Sequence, residues 1–198
     1  MTYLGYCDYL QAKYGIGRAD YMTKNFSPTR KCKRTEEGLY VHHKAEDIMV
    51  MLSKKEIAER CPFAWQKKEN LVYCDLLEHL FLHVLICRYP SPVSPLKDQV
   101  GISGITCFLI PELNGAYAGR KPKQQWRQTC HERIINDKDA YLAVLEDFIP
   151  FAVSKKGVPA EAFFQGLNTP LGRKAGSADR ELYEVLRGIC SRATGDAA

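Results

Sequence analysis

The chain has 198 residues, of which 45% are hydrophobic and 26% are charged, and its formal net charge is +5. This composition is ordinary for one globular domain, or for one domain with an appendage. No run of about 18 apolar residues occurs, which argues against a transmembrane helix. The N-terminus lacks the basic and apolar regions of a secretory signal, so a cytoplasmic protein is expected.

Eight cysteines occur, and none of them belongs to a C-x-x-C motif. A zinc ribbon or a thioredoxin-like site is therefore poorly supported. Without a secretory signal, reduced and mostly buried thiols are the default expectation for these residues.

The positive charge is concentrated near the N-terminus. Residues 1–35 hold seven basic and two acidic residues, whereas the remaining 163 residues hold 21 of each sign. Such a basic segment favours binding to a polyanion, although a solvated loop would give the same pattern. The candidate phosphate contacts are Arg30, Lys31, Lys33, Arg34 and Lys44. Basic residues that could extend this surface, or merely solvate it, are Arg120, Lys121, Lys123, Lys155, Lys156, Arg173 and Lys174.

The first predicted element is a helix over residues 3–14, which is ended by glycines. Residues 24–37 are polar and basic and contain a proline, so a loop is predicted there. The short β-prone run 38–41 then delivers His42 and His43 at its end.

A second strand and a helix are predicted further along the chain. Residues 53–60 begin with the Ser-x-x-Glu spacing of a capping box, which predicts a short helix. A β-prone run covers residues 70–74. Asp75 follows as the predicted N-cap of a helix over residues 76–88.

The rest of the chain is predicted to be helical. Residues 89–104 contain several prolines and glycines, which predicts a linker or a long loop. Apolar residues at helical spacing predict helices over 123–136 and 138–153, with Pro150 limiting the second. A last helix is predicted over residues 177–189.

Four of the five histidines fall in one pattern. His79 and His83 have i, i+4 spacing, which places both on one face of a helix, where two imidazoles can meet one metal ion. Alternatively, they are hydrogen-bonded polar groups of a core helix. His42 and His43 are neighbours on a predicted strand, so they point to opposite faces. One can bind the metal while the other faces a substrate and takes a proton from water.

The segments Gly38-Leu-Tyr-Val-His-His and Glu69-Asn-Leu-Val-Tyr-Cys-Asp-Leu-Leu-Glu-His-Leu-Phe-Leu-His resemble the ββα-metal motif of HNH nucleases. In that family one strand ends in the base histidine, a second begins with the asparagine, and a helix brings in further ligands. The spacing Asn-x8-His-x3-His fits without a gap, and the histidine set is similar to that of colicin-type members. Residues 1–150 as a whole are similar to HNH-like proteins of bacteria and their mobile elements.

The resemblance implies that His42, His79 and His83 bind a divalent metal ion. It also implies that His43 is the general base and that Asn70 holds the loop carrying this base by hydrogen bonding. The implied activity is that of an endonuclease acting on DNA, with RNA as another possible substrate because the motif touches only phosphate and sugar. Three imidazoles favour Zn²⁺, Ni²⁺ or Mn²⁺ over Mg²⁺.

The expected fold is α+β and mostly helical. A small ββα-metal core with N-terminal helices is expected in residues 1–88, followed by the linker or loop over residues 89–104. Residues 105–198 are expected to form a helical region packed on this core.

Other residues near the motif leave alternatives open. Asp75 could be a fourth ligand or could orient an imidazole, but its role as a helix N-cap is favoured. Glu78 lies one residue off the ligand face and is expected to be exposed. His131 is expected on a helix surface without a functional role.

Three features depart from the family pattern. The insertion between His43 and Asn70 is 26 residues long, no zinc knuckle flanks the motif, and Lys44, Glu46 and Asp47 change the charge after the base. A non-catalytic alternative therefore stays open, in which the same histidines form a structural zinc site in a nucleic-acid- or protein-binding module. An unligated, outward-facing histidine at position 43 would favour the nuclease.

Overall fold

The computed structural model describes residues 1–96, 99–168 and 176–195. The chain divides into two compact units, Met1–Ile102 and Ser103–Ala198. In the described residues, helices predominate and the single sheet has two antiparallel strands. The fold class is therefore α+β and mostly helical, as predicted.

The first unit begins with helix α1 (Tyr3–Tyr14), which confirms the first predicted element. The Thr2 side chain caps this helix by accepting a hydrogen bond from the backbone N–H of Gly5. Gly15 ends it with a φ of 83°, a conformation that glycine adopts without strain. One face of α1 is buried in the core of the first unit, so residues of this helix can reach the site described below.

Strands β1 (Tyr40–His43) and β2 (Leu71–Cys74) form the sheet. They pair in register from Tyr40 opposite Cys74 to His43 opposite Leu71. All four residues of β2 are buried, so the sheet lies inside the unit rather than at its surface. Because the last residue of β1 pairs with the first residue of β2, the long insertion leaves and re-enters the sheet at the same end of the strands.

Helix α3 (Leu76–Arg88) follows β2 after one residue, Asp75. The Asp75 carboxylate accepts a hydrogen bond from the N–H of Glu78, and the Glu78 carboxylate accepts one from the N–H of Asp75. This capping box confirms Asp75 as the N-cap. The expected exposure of Glu78 is wrong, because its side chain also accepts hydrogen bonds from Lys13 and Tyr14 and is 11% exposed.

The insertion contains helix α2 (Lys55–Ala58) and two single turns, Phe63–Gln66 and Lys68–Asn70. The capping box predicted at residue 53 is wrong, since α2 begins after Lys54 and has no side-chain cap. A short helix of one turn does form within the predicted range.

The described chain from Ile102 onward is helical. Its elements are α4 (Ile102–Gly104), a π-helical segment (Ile105–Leu109), α5 (Ile110–Tyr117), α6 (Gln125–Ile134), α7 (Lys138–Lys156), a turn at Ala160–Phe164 and α8 (Ser177–Thr194). The core of the second unit is formed by α7 packed against α8 and by the buried residues of the helices before them. The buried Asn114 amide donates to the carbonyls of Phe163 and Gln165 and accepts from the Tyr141 hydroxyl. A fully paired polar group of this kind fixes one arrangement of the surrounding core.

Pro150 does not limit α7, which continues to Lys156 and ends at Gly157, in the left-handed conformation. A proline removes one backbone hydrogen bond, here to a carbonyl one turn earlier. Pro150 lies on the exposed face of the helix, where water can bind that carbonyl, so the helix tolerates the loss.

Six of the eight cysteines are buried and Cys107 is exposed, which agrees with the expectation of mostly buried thiols. Among the described residues, no helix combines the length and the apolar character that crossing a membrane would require.

Candidate metal centre

Three histidines converge in the first unit, as the sequence pattern predicts. His42 lies on β1, and His79 and His83 lie on one face of the first two turns of α3. Their ring centroids are 5.1 Å apart for His42 and His79, 5.3 Å for His42 and His83, and 5.0 Å for His79 and His83. One nitrogen from each ring lies within 4.8 Å of the others, so the three residues could hold a metal ion.

Tyr3 of α1 fixes the orientation of His42, a contact that the sequence pattern does not reveal. The Tyr3 hydroxyl donates to the backbone carbonyl of His43 and lies 2.8 Å from Nε2 of His42. Because its one proton is used, the hydroxyl accepts a hydrogen bond from Nε2–H of His42. Nδ1 of His42 then keeps its lone pair, which points toward Nε2 of His79 at 3.2 Å.

The donor set fits a transition-metal ion. Nδ1 of His42 and Nε2 of His79 face one another 3.2 Å apart inside the unit, where one cation could bind both nitrogens. Ligand nitrogens about 2.0–2.1 Å from a tetrahedral ion are about 3.3 Å apart, close to the 3.2 Å between His42 and His79. A centre with His42, His79 and His83 as ligands is therefore sterically consistent with an ion such as Zn²⁺.

Burial keeps the three imidazoles neutral. Loss of hydration lowers the pKa of His42 to about 3, and the nearby carboxylate of Glu46, which raises it, offsets this only in part. Burial also lowers the pKa of His79 and of His83. Neutral imidazole is the form that binds metals, so no proton has to leave these rings near neutral pH.

Glu46 adds a carboxylate to the cluster, and the sequence analysis noted this residue only as a departure in charge. Its Oε2 lies 3.6 Å from Nδ1 of His42 and 3.5 Å from Nε2 of His83. Its Oε1 lies 3.7 Å from Nδ1 of His43. Burial acts to raise the pKa of Glu46, whereas the facing histidines act to lower it. The signal that could have identified Glu46 is local, because it lies one helical turn after the His42-His43 pair.

His43 is buried, and the expectation that it faces outward is wrong. It is 1% exposed, because the ring of Tyr21 covers it at 4.5 Å between centroids. On the other side, Nε2 of His43 lies 3.2 Å from Oε1 of Gln66. The Gln66 amide donates to the carbonyl of Leu52, so its oxygen faces His43 and accepts from Nε2–H. Nδ1 of His43 therefore keeps a lone pair, directed to the side of Glu46.

Asn70 contacts His43 only indirectly, through the turn Phe63–Gln66. Its side chain donates a 2.8 Å hydrogen bond to the carbonyl of Ala64, within the turn Phe63–Gln66. This turn carries Gln66, and Gln66 contacts His43. Asn70 thus holds a turn that touches the histidine, whereas the resemblance implied that it holds the loop carrying the histidine itself.

The five basic residues proposed to bind phosphate differ in availability. Arg30, Lys31 and Lys33 are exposed and form no ion pair among the described residues. Arg34 pairs with Glu37 and lies over the ring of Tyr73, and Lys44 pairs with Asp8. The first three are therefore the better candidates for contact with a polyanion.

The more distal basic residues fall in the second unit. Arg120, Lys121 and Lys123 help to line an open cavity of about 420 Å³. His131 also lines it and is buried, not on the surface as expected, because it pairs with Glu112 at 2.7 Å. The remaining candidates Lys155 and Lys156 lie at the end of α7, and Arg173 and Lys174 lie outside the described residues.

Comparison of the chain with profiles of protein families, with curated proteins and with solved structures finds no match. The cluster of His42, His79 and His83 beside the two-stranded sheet and α3 is compatible with an HNH-like site.

Acidification below about pH 6.5 is predicted to destabilise the metal-free protein. The pKa values of His42, His79 and His83 are lower in the folded chain than in the unfolded chain, where histidine titrates near 6.5. As the pH falls through that value, the unfolded state binds protons that the folded cluster does not bind. The stabilisation present above about pH 6.5 is therefore lost progressively toward about pH 3.

Urea unfolding at about pH 7, 6 and 5, with a chelator present, measures this loss in wild type and in His42→Asn. The variant lacks one titrating ring, so its free energy of unfolding falls less, by up to about 1.4 kcal/mol per pH unit. Burial raises the pKa of Asp47 to about 6. Asp47 is present in both proteins, so its contribution to the pH dependence of the unfolding free energy cancels in the comparison. Equal slopes in the two proteins would contradict the prediction.

Proposed function

We propose that this protein is a metal-dependent HNH endonuclease that hydrolyses phosphodiester bonds, with DNA as the expected substrate. The observation that carries the proposal is the convergence of His42, His79 and His83 from a β-hairpin and the helix that follows it. His43, next to His42 on the strand, supplies a further imidazole beside the same cluster.

The ion would be held by Nδ1 of His42 and by Nε2 of His79 and His83. When bound, it would polarise the phosphate and stabilise the leaving oxygen. The nitrogen-rich donor set favours Zn²⁺, Ni²⁺ or Mn²⁺ over Mg²⁺, which prefers an all-oxygen shell.

His43 is the proposed general base, and Nδ1 is the atom that would accept the proton from water. Gln66 supports this role by occupying Nε2–H, which leaves the Nδ1 lone pair free. Tyr21 must move before water can reach the ring, because it covers His43. Tyr21 belongs to the N-terminal basic segment, so binding of a polyanion to that segment is the event expected to uncover the base.

The exposed side chains of Arg30, Lys31 and Lys33 are the proposed phosphate contacts. Contacts to phosphate position a nucleic acid without reading its sequence, so weak sequence preference and strong salt dependence are expected. The choice of DNA over RNA comes from the resemblance alone.

A structural zinc site in a binding module is the second candidate, and two observations favour it. His43 is 1% exposed, and Glu46 brings a fourth potential donor to the three histidines. A site with four protein donors is typical of structural zinc, which contributes directly to folding.

Substitution of His43 by alanine is predicted to abolish cleavage while metal content stays near that of wild type. General-base catalysis contributes about 10²–10⁴-fold to the rate, so the rate of nicking of supercoiled plasmid should fall by that factor with each metal ion that supports cleavage. His131→Ala, which removes another buried imidazole but lies in the second unit, is the control and should keep its activity. Full nicking activity in His43→Ala would show that the base is assigned wrongly.

Metal removal distinguishes the two candidate functions. For the nuclease, the protein stripped by a chelator should keep its circular-dichroism spectrum and should regain cutting when Zn²⁺, Ni²⁺ or Mn²⁺ is added. For a structural site, chelation should unfold the first unit, because structural zinc supplies folding energy. Unfolding on chelation, without cleavage by the reloaded protein under any ion, would decide against the nuclease.

Neutralising the proposed phosphate contacts is predicted to weaken binding without changing its sequence preference. Lys31→Ala and Lys33→Ala should each reduce the salt dependence of DNA affinity by about one unit of log–log slope. Lys55→Ala removes an exposed lysine that pairs with Glu59 and serves as the matched control. Fluorescence anisotropy across a salt series measures the slopes, and equal slopes in all four proteins would rule out these two contacts.

A further inference from the structure

Glu46 is a largely buried carboxylate, and all of its ion-pair partners among the described residues are histidines. Its side chain is 16% exposed, and its ion-pair partners among the described residues are His42, His43 and His83. No lysine or arginine of the described chain pairs with it. A carboxylate removed from water needs a positive partner, and neutral imidazoles do not supply a full charge.

The Glu46 carboxylate lies beside two of the three histidines, His42 and His83. The distances from its Oε2 to Nδ1 of His42 and to Nε2 of His83 are 3.6 and 3.5 Å. The distance from Nδ1 of His42 to Nε2 of His79 is 3.2 Å. All three are close to the edge of about 3.3 Å expected between donors of a tetrahedral ion with bonds of about 2.0–2.1 Å.

We infer that Glu46 is the fourth protein ligand of the ion, through Oε2, so that the site has three imidazoles and one carboxylate. The inference rests on the metal centre of the proposed function and deepens it by adding a donor that substrate must displace, whereas in the structural-zinc candidate the same donor stays bound. The resemblance to colicin-type nucleases implied only the three histidines, and the carboxylate supplies the negative charge that such a site lacks.

This ligand has a consequence for access to the ion. A tetrahedral ion with four protein donors has no position for a phosphate oxygen unless one donor leaves or the ion accepts a fifth. The carboxylate therefore competes with substrate for the fourth position.

The first measurement is Zn²⁺ affinity by competition with a chromophoric chelator. Glu46→Ala should weaken binding by about 100-fold or more, above the range typical of residues that only orient a ligand. Glu46→Gln keeps the shape and a neutral oxygen donor and should lose less. Asp47→Asn removes the neighbouring carboxylate and is the matched control, with an affinity near that of wild type.

The second measurement uses Co²⁺ in place of Zn²⁺ and tests whether Glu46 binds the ion itself or only lies beside the histidines that bind it. The wild-type protein should give the intense visible bands of a tetrahedral ion, and azide should leave them unchanged because no position is open. Glu46→Ala, checked for folding by circular dichroism, should bind azide with a shift of these bands.

Each outcome has a distinct meaning. Equal Zn²⁺ affinity in wild type and in both Glu46 variants, or a wild-type Co²⁺ spectrum that shifts with azide as that of Glu46→Ala does, would overturn the assignment of Glu46. Neither result affects the three histidines. Failure of the wild-type protein to bind Zn²⁺ or Co²⁺ at all would overturn the metal centre of the proposed function.

Discussion

The antiparallel register of β1 and β2 is the constraint on which the site depends. His42 lies opposite Val72, and α3 begins two residues after β2 ends, with Asp75 alone between them. The short connection and the capping box fix where the first turns of α3 lie relative to β1. A slip of one residue in the pairing would turn His42 to the other face of the sheet, away from His79 and His83.

The same arrangement places polar groups where burial is unfavourable. Three imidazoles and the Glu46 carboxylate lie within a unit whose strand β2 is fully buried. Buried polar groups are normally paired, and here Tyr3 pairs one nitrogen of His42, while the other nitrogen faces Nε2 of His79. A bound cation would offset the charge of Glu46 and occupy the nitrogens that face one another. This is the physical reason for preferring a metal centre to a purely structural cluster of histidines.

The local part of the site could be predicted from the sequence, and the tertiary part could not. The i, i+4 spacing of His79 and His83 and the N-cap at Asp75 are properties of one helix, and the structure confirms both. The contacts of Tyr3 with His42 and of Tyr21 with His43 join segments that are far apart in the chain, so the spacing of residues in the sequence does not predict them. For this reason, the expectation that His43 faces outward was wrong. A strand neighbour does point away from His42, but the segment containing Tyr21 covers that face.

An anomalous-diffraction experiment on crystals grown with Zn²⁺ tests the central claim most directly. Data collected on either side of the zinc absorption edge locate the ion without reference to activity. The account predicts one strong peak in the first unit, about 2.0–2.1 Å from Nδ1 of His42 and from Nε2 of His79 and His83. A zinc-containing crystal with no peak at this position, and with the three imidazoles bonded only to one another, would contradict it.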